Sequence, residues 1–380
     1  MTRTAFVARI SAAGPDDVSG LEAALDGGLP ADGVVALLGK TEGNGCVNDF
    51  TRAFAVRALS DAMARRRPDA ATAVSYVMSG GTEGGLAPHF LLLGRRDVTG
   101  HEVPADDRAP EGAALAVGGA RTAALPPEHL GRLAQVRLVA DAVRAAIADA
   151  GIDDTADVHF VQIKCPLLTA DRIAAAEARG AATATRDTLK SMGLSRAASA
   201  LGVAVALGEL ALSDIADEAI GRDTALWSGR ASTSAGVELV DHEIVVLGMS
   251  RAWTGPLAVE HAVMGDQIDV EPVRGALRRL GFTADGQLGP EERGALVALL
   301  AKAEAGTTGR LRGHRHTMLD DSDISSTRHA RAFVAGALAG LVGHAEIFVS
   351  GGAEHQGPDG GGPVAIIADR TRLPSRRSER

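Results

Sequence analysis

Cysteine is nearly missing from this sequence. Cys46 and Cys165 are the only two in 380 residues, too few for a disulfide framework and without the paired spacing of a structural zinc site. Such usage fits a reducing cytoplasm. Aromatic residues are also scarce, at 3% of the chain, and the net charge is −9. Few stacking platforms and no basic footprint remain for nucleic acid, which is not expected as a partner. Nowhere do 18 apolar residues run uninterrupted, and the N-terminal MTRTAFVARISAAGPDDVSG has no signal-peptide core. No membrane partner is expected, and the chain reads as soluble and unexported. The basic stretch TRLPSRRSER at the C-terminus lacks apolar periodicity, so residues 370–380 are expected to be a disordered tail.

What is abundant is apolar residues, at 46%, and glycine, with 46 copies. The first suffices for a large core in a multi-domain globular protein. The second gathers in short motifs that recur at long intervals, the mark of internal repetition. An apolar run ending in lysine occurs three times: GVVALLGKTEG with Lys40, VHFVQIKCPLL with Lys164 and LVALLAKAEAG with Lys302. Each is followed by an arginine-led, alanine-rich segment that reads as a helix, from Arg52, Arg196 and Arg331. Next comes a serine with small residues behind it, read as a turn: Ser79 in YVMSGGTEGG, Ser234 in RASTSAGVEL and Ser350 in IFVSGGAEHQG. A β-rich run closes each set, namely HFLLLG, HEIVVLG and PVAIIAD.

The lysine-to-serine separations are 39, 70 and 48 residues, so insertions fall between motifs, where loops tolerate them. The fold class expected is α/β, built of three diverged α/β units at residues 1–104, 112–250 and 255–369. The boundaries fall in the polar stretches HEVPADDRAPEGA and GMSRAWTG. One segment sets local propensity against the repeat. PEERGALVALLAKAEA at 290–305 looks helical by its Glu, Ala and Leu content, and alignment to the other units makes 296–302 a strand.

Several motifs are weaker than they look. GKT at 39–41 lacks the first glycine of a phosphate loop, because Val34 stands in its place. His314 and His316 have no acidic or cysteine partner in zinc-like spacing and read as solvated or structural. The threefold lysine–serine set carries more. A serine needs a base, and a lysine whose ammonium is disfavoured by burial and neighbouring cations can serve at neutral pH. Each arginine, placed at a helix start, opposes the helix dipole, and its fork is read as a donor to a ligand carbonyl or anionic oxygen. The small residues after each serine admit close backbone approach, as an oxyanion hole requires. If the units pack around a pseudo-threefold axis, three such sets converge and match a small ring with three equivalent carbonyls.

These residues resemble the cyanuric acid hydrolases and the related barbiturases. The resemblance runs along GKTEGNGCVNDFTR at 39–52, MSGGTEG at 78–84, VHFVQIKCPLLT at 158–169, SMGLSRAASALG at 191–202, MLDDSDISSTRHARA at 318–332 and SGGAEHQGPDGGGP at 350–363. It implies three α/β repeats around a pseudo-threefold axis with the active site at their centre. It further implies Ser234 as nucleophile and Lys164 as its general base, with Lys40 and Lys302 in support. Substrate contacts are implied at Arg52, Ser79, Gly80, Arg196, Ser234, Ala235, Arg331, Ser350 and Gly351.

A structural metal, Mg²⁺ or alternatively Ca²⁺, is implied at Glu304, Ala353, Gln356, Gly357, Pro358 and Gly361. One carboxylate with oxygen donors suits such a hard cation. No organic cofactor is expected, and a homotetramer is implied. The implied reaction opens cyanuric acid to carboxybiuret, which decarboxylates to biuret. Barbituric acid is the alternative substrate, and a catalytically silent binder of cyclic imides the alternative class. Retention of Arg331, Ser350 and Gly351 in the third unit is similar to the cyanuric acid branch.

Overall fold

The computed structural model describes residues 2–98 and 112–374. Most of the expected boundary at 101–113 lies outside them, as does the tail from 375 onward. The first sheet comprises β1 (Thr2–Ser11), β2 (Val34–Thr41), β3 (Ser75–Gly80) and β4 (His89–Val98), with helices α1 (Ser19–Asp26), α2 (Phe50–Ala64) and α3 (Ala70–Ala73). The second comprises β5 (Ala114–Arg121), β6 (Val158–Pro166), β7 (Ala231–Gly236) and β8 (Glu243–Ser250), with α4 (Leu133–Ala150), α5 (Ala170–Glu177) and α6 (Thr188–Ala206). A short β9 (Trp253–Thr254) then pairs back onto β1. The third sheet comprises β10 (Leu257–Met264), β11 (Leu296–Ala303), β14 (Phe348–Gly351) and β15 (Gly362–Asp369). Its helices are α7 (Glu271–Leu280), α8 (Pro290–Ala295) and α9 (Ser326–Val342), and a small hairpin, β12 (Arg310–Leu311) with β13 (His314–Arg315), stands apart.

The three sheets share one strand order. It reads β3-β2-β4-β1, β7-β6-β8-β5 and β14-β11-β15-β10. In each, the serine strand runs parallel to the lysine strand, and the closing strand returns antiparallel on its other side. Even an irregularity repeats. The lysine strand slips register against its antiparallel neighbour between Val34 and Ala36, between Val158 and Phe160, and between Leu296 and Ala298. In β2 this bulge sends two consecutive residues, Val35 and Ala36, into the same core.

Each lysine strand reads as a near-continuous apolar run because both its faces are covered. Along β11, Ala298 and Leu300 face the core shared by all three sheets, while Leu299, Ala301 and Ala303 face a separate core under the helices. The same alternation continues one step to Lys302, which leaves the strand on the shared-core side. The segment 290–303 thus satisfies both readings of its sequence: Pro290 opens a short helix, and the strand begins at Leu296.

Two local readings need correction. The serines stand on strands, within β3, β7 and β14, instead of on turns. Parallel pairing with the lysine strand overrides the turn propensity of Ser-Gly-Gly. The arginines do not lead their helices. Arg52 is the third residue of α2, but α6 begins at Thr188 and α9 at Ser326, well before Arg196 and Arg331. Asp49 and Asp187 cap α2 and α6 by accepting the backbone N–H groups of Thr51 and Lys190. The helix-dipole argument therefore applies to Arg52 alone. At the C-terminus, Arg370–Arg372 form a 3₁₀ turn, and the Arg370 guanidinium donates to the Ala113 carbonyl, so order extends into the expected tail.

Candidate active site

Strand register places each lysine opposite its serine. Lys40 pairs with Ser79, Lys164 with Ser234 and Lys302 with Ser350 on adjacent parallel strands, so each pair projects from the same face of its sheet. All three lysines are buried. Lys40 Nζ donates to Ser79 Oγ at 3.2 Å, and Lys302 Nζ to Ser350 Oγ at 3.2 Å. The middle pair differs. Lys164 Nζ donates to the Met78 carbonyl at 2.5 Å and lies 2.9 Å from Glu238 Oε1. Ser234 Oγ instead meets Ser350 Oγ at 3.0 Å, and Ser79 Oγ donates to Ser350 Oγ at 3.2 Å. The three hydroxyls, from three sheets, thus form one hydrogen-bonded chain. The pair expected to act as nucleophile and base thus differs from the two supporting pairs, because the Lys164 head group is drawn to a carboxylate and not to its serine.

That carboxylate belongs to a set the sequence reading overlooked. A glutamate stands four residues after each serine, at Glu83, Glu238 and Glu354, and each meets an arginine from another sheet's helix. Arg331 grips Glu83 through Nε and Nη2, both at 2.5 Å. Arg196 grips Glu354 through Nε at 2.8 Å and Nη2 at 2.6 Å. Arg52 Nε lies 3.6 Å from Glu238. The pairing closes a circuit, from the first sheet's helix to the second sheet's glutamate, the second's to the third, and the third's to the first.

The glycine two residues past the serine makes room for it. A Cβ on Gly81, at φ +104°, would sit 2.2 Å from Arg331 Nη2, and one on Gly352, at φ +77°, 2.5 Å from Arg196 Cζ. Small residues here serve arginine access as well as backbone approach. The recurring glutamate at the fourth position was the available signal.

One small cavity brings these groups together. Its lining includes all nine residues expected to contact substrate, from Arg52, Ser79 and Gly80 through to Ser350 and Gly351, and of the three lysines only Lys164. Lys40 and Lys302 stand behind their serines. Above it, a vestibule of about 680 Å³ opens between the loop at Asn44–Cys46, α6 and the start of α9.

Burial is the largest influence on Lys40, Lys164 and Lys302. It holds Lys40 well below the ordinary ammonium range, helped by Arg331. It brings Lys302 down to about 7, helped by Arg196. It also lowers Lys164, with Glu238 opposing and Arg52 assisting. A lysine so placed can hold a free amine near neutrality.

The residues expected to hold a metal gather at one end of the site. Glu304 is half-buried, and its Oε2 accepts the Ala353 N–H at 3.0 Å. Glu304, Ala353, Gly357 and Pro358 line a common cavity of about 340 Å³. Gln356 is buried and accepts the Thr233 N–H at 2.7 Å, which ties the loop to the residue before Ser234. Burial, and next the neighbouring Glu354, raise the Glu304 carboxyl above its ordinary range. A half-buried carboxylate pressed by a second one, at the wall of a cavity, is a donor that suits a hard cation. Gly361 is buried in the same loop. His314 is exposed on β13, and no cluster of three His, Cys, Asp or Glu side chains occurs among the described residues. Both cysteines are free, and no described helix is long and apolar enough to cross a membrane.

Residues 6–369 match the family described as amidohydrolase ring-opening protein. The chain is 62% identical over 373 residues to the cyanuric acid amidohydrolase of Bradyrhizobium sp. (strain ORS 375), covering 97% of this chain and 99% of that one. It is likewise 62% identical over 369 residues to the enzyme of the same name from Azorhizobium caulinodans, covering 97% and 99%. A crystal structure of the A. caulinodans cyanuric acid hydrolase superposes with a TM-score of 0.89 at 60% identity, covering 97% of this chain and 99% of that one. A second cyanuric acid hydrolase structure, attributed to structural concatenation, gives 0.91 at 47% identity over 97% and 100%. Sequence, site and superposition agree, and this chain belongs to the ring-opening amidohydrolases, hydrolases of cyclic amides.

Proposed function

We propose that this protein hydrolyses cyanuric acid, with Ser234 as nucleophile and Lys164 as the base that activates it. The observation that carries the reading is the convergence of three serines, three arginines and one lysine on a single cavity. Three similar walls suit a ring with three equivalent carbonyls. Retention of Arg331, Ser350 and Gly351 on the third wall favours cyanuric over barbituric acid, whose ring carries a methylene in place of one N–H. The ratio of kcat/KM for the two rings tests that choice.

In the proposed reaction, Ser234 Oγ attacks one ring carbonyl while the Lys164 amine takes the hydroxyl proton. The C–N bond breaks, and the Lys164 ammonium returns the proton to the departing ring nitrogen. Water then adds to the acyl-enzyme with Lys164 again as base. Carboxybiuret leaves and loses carbon dioxide to give biuret. Arginines and the remaining serines hold the other two carbonyls. Burial favours the free amine of Lys164, and strand register sets Lys164 opposite Ser234 on the neighbouring strand.

The same reading takes residues 1–104, 112–250 and 255–369 as three units around a pseudo-threefold axis, supported by the shared strand order and the arginine–glutamate circuit. It also takes Mg²⁺ as resident at Glu304 with oxygens of the 353–361 loop, where its charge would offset the Glu304 carboxylate and steady the loop bonded to Thr233. The assembly proposed is a homotetramer in the cytoplasm. Ser234→Ala should abolish biuret formation while cyanuric acid still binds by calorimetry; near-normal biuret formation would falsify the assignment.

A further inference from the structure

Glu238 departs from its two counterparts. Glu83 and Glu354 are each gripped through two nitrogens of an arginine, whereas Arg52 stays 3.6 Å from Glu238 and turns Nη2 to the Cys46 carbonyl at 2.9 Å. Glu238 meets Lys164 instead, at 2.9 Å, with side-chain exposures of 8% and 1%. Behind the pair lies a separate cavity of about 180 Å³, which Lys164, Glu238 and Glu243 line together.

We propose that Glu238 is a positioning residue for the ring-opening reaction, orienting Lys164 toward Ser234 and stabilising the ammonium that forms when the serine proton is taken. The inference rests on the Ser234–Lys164 reading above. Its geometry is that of a base oriented by a third group. A neutral amine has two N–H donors and one lone pair. The Met78 carbonyl accepts one Lys164 N–H at 2.5 Å, and Glu238 Oε1 lies 2.9 Å from the same nitrogen as an ion-pair partner, which leaves the lone pair of the neutral amine for the cavity that Lys164 and Ser234 both line. When that lone pair accepts the Ser234 proton, an N–H bond forms as the serine O–H breaks, and the new charge lies against a carboxylate. Without Glu238, a buried ammonium would face Arg52 with only Glu243, whose carboxyl burial pushes up to about 7, as a remaining acid.

The charged and titratable groups around the pair come from several elements. Arg52 reaches in from α2, Cys165 adjoins Lys164 on β6, and Glu243 faces Lys164 from β8. Arg172 on α5 acts on Glu238, while Arg121 and Asp241 act on Glu243. Among these, Glu238 is the largest influence favouring protonated Lys164, and burial is the largest against it. A base must be deprotonated to act, so activity falls as pH drops through the lysine's titration. Removing Glu238 makes deprotonation easier and moves that acid limb to lower pH.

The test is the pH dependence of kcat/KM for cyanuric acid in Glu238→Gln, Glu238→Asp and Glu83→Gln, with binding by calorimetry to establish folding. Glu238→Gln should lower kcat on the order of 100-fold with KM little changed, and should shift the acid limb down by about one pH unit or more. Glu238→Asp keeps the charge and should hold the limb near its wild-type position while kcat falls about 10-fold through the retracted head group. Glu83→Gln, which frees Arg331 and leaves Lys164 alone, should raise KM without moving the limb. An unmoved limb in Glu238→Gln, or equal limb shifts in the Gln and Asp variants, overturns the proposal. Should Ser234→Ala or Lys164→Met retain turnover, the underlying reading fails instead. If both are inactive and Glu238→Gln behaves as wild type, the positioning role alone fails.

Discussion

Breaking the Arg331–Glu83 pair from one side should cost more than removing both partners. Arg331 is 4% exposed and Glu83 15%, and two bonds of 2.5 Å join them. Arg331→Met strands a carboxylate whose remaining ion-pair partner, Arg328, sits at 3.3 Å and is itself 38% exposed, with buried Lys40 acting from farther off. Loss of one partner from a buried pair costs about 3–5 kcal/mol, and the retained Arg328 places this case near 3. For 380 residues, an unfolding entropy of about 2.1 cal/mol/K per residue converts 1 kcal/mol to roughly 1.3 °C, so Arg331→Met should melt about 4 °C below wild type. In Arg331→Met/Glu83→Gln the stranded charge is gone, and about 2 kcal/mol, or 2–3 °C, should return. Scanning calorimetry of the four proteins at one pH closes the cycle. A double variant that melts no higher than Arg331→Met would show that Glu83 does not depend on Arg331, and the circuit would lose its energetic meaning.

Three further outcomes follow from the same geometry. Gly81→Ala should raise KM for cyanuric acid roughly tenfold by pushing the Arg331 guanidinium aside, whereas Gly180→Ala, also at positive φ but with nothing within 4 Å of its would-be Cβ, should leave KM unchanged. Buried His242 is held neutral, with its pKa pushed down to about 3 by burial. Its folded pKa lies below the unfolded value, so its stability contribution is full above about pH 6.5 and is lost as pH falls toward 3. At pH 5 the loss is about 2 kcal/mol. Between pH 7.5 and 5, wild type should therefore lose 2–3 °C more in melting temperature than His242→Gln. Finally, dialysis against a chelator should lower the melting temperature and added Mg²⁺ should restore it. Glu304→Gln should show neither response, and an indifferent wild type would remove the metal from the site.

Much of this was legible in the chain, and the reasons are local. Each lysine ends an apolar run, so a buried strand was readable around Lys40, Lys164 and Lys302, and order along the sequence identified the serine and the returning strand. Ser-Gly-Gly misled because its turn propensity is local, while its strand pairing depends on a partner 39 or 48 residues away. The start of α6 was hidden because SMGLS ahead of Arg196 mixes polar and small residues. The glutamates recur at fixed spacing and could have been seen. Which arginine meets which glutamate could not, because that depends on how three sheets face one another. The departure of Glu238 from its arginine lies deeper still, in a balance between a lysine and a guanidinium competing for one carboxylate.

The circuit makes neighbours of distant positions. Residues 83 and 331 are 248 apart in the chain, yet a substitution at one alters the charge surrounding the other, and 52 answers to 238 and 196 to 354 in the same way. Each of the circuit's three pairs has its two ends on different sheets or their helices. A fragment bearing one sheet with its helices would part an arginine and a glutamate from their circuit partners, so sheets that look separable along the chain cannot be parted without leaving charge behind. Substitution in any one sheet is restrained accordingly: a wall can differ from the others, as the one bearing Lys164 does in its lysine–glutamate contact, only while continuing to supply its neighbours.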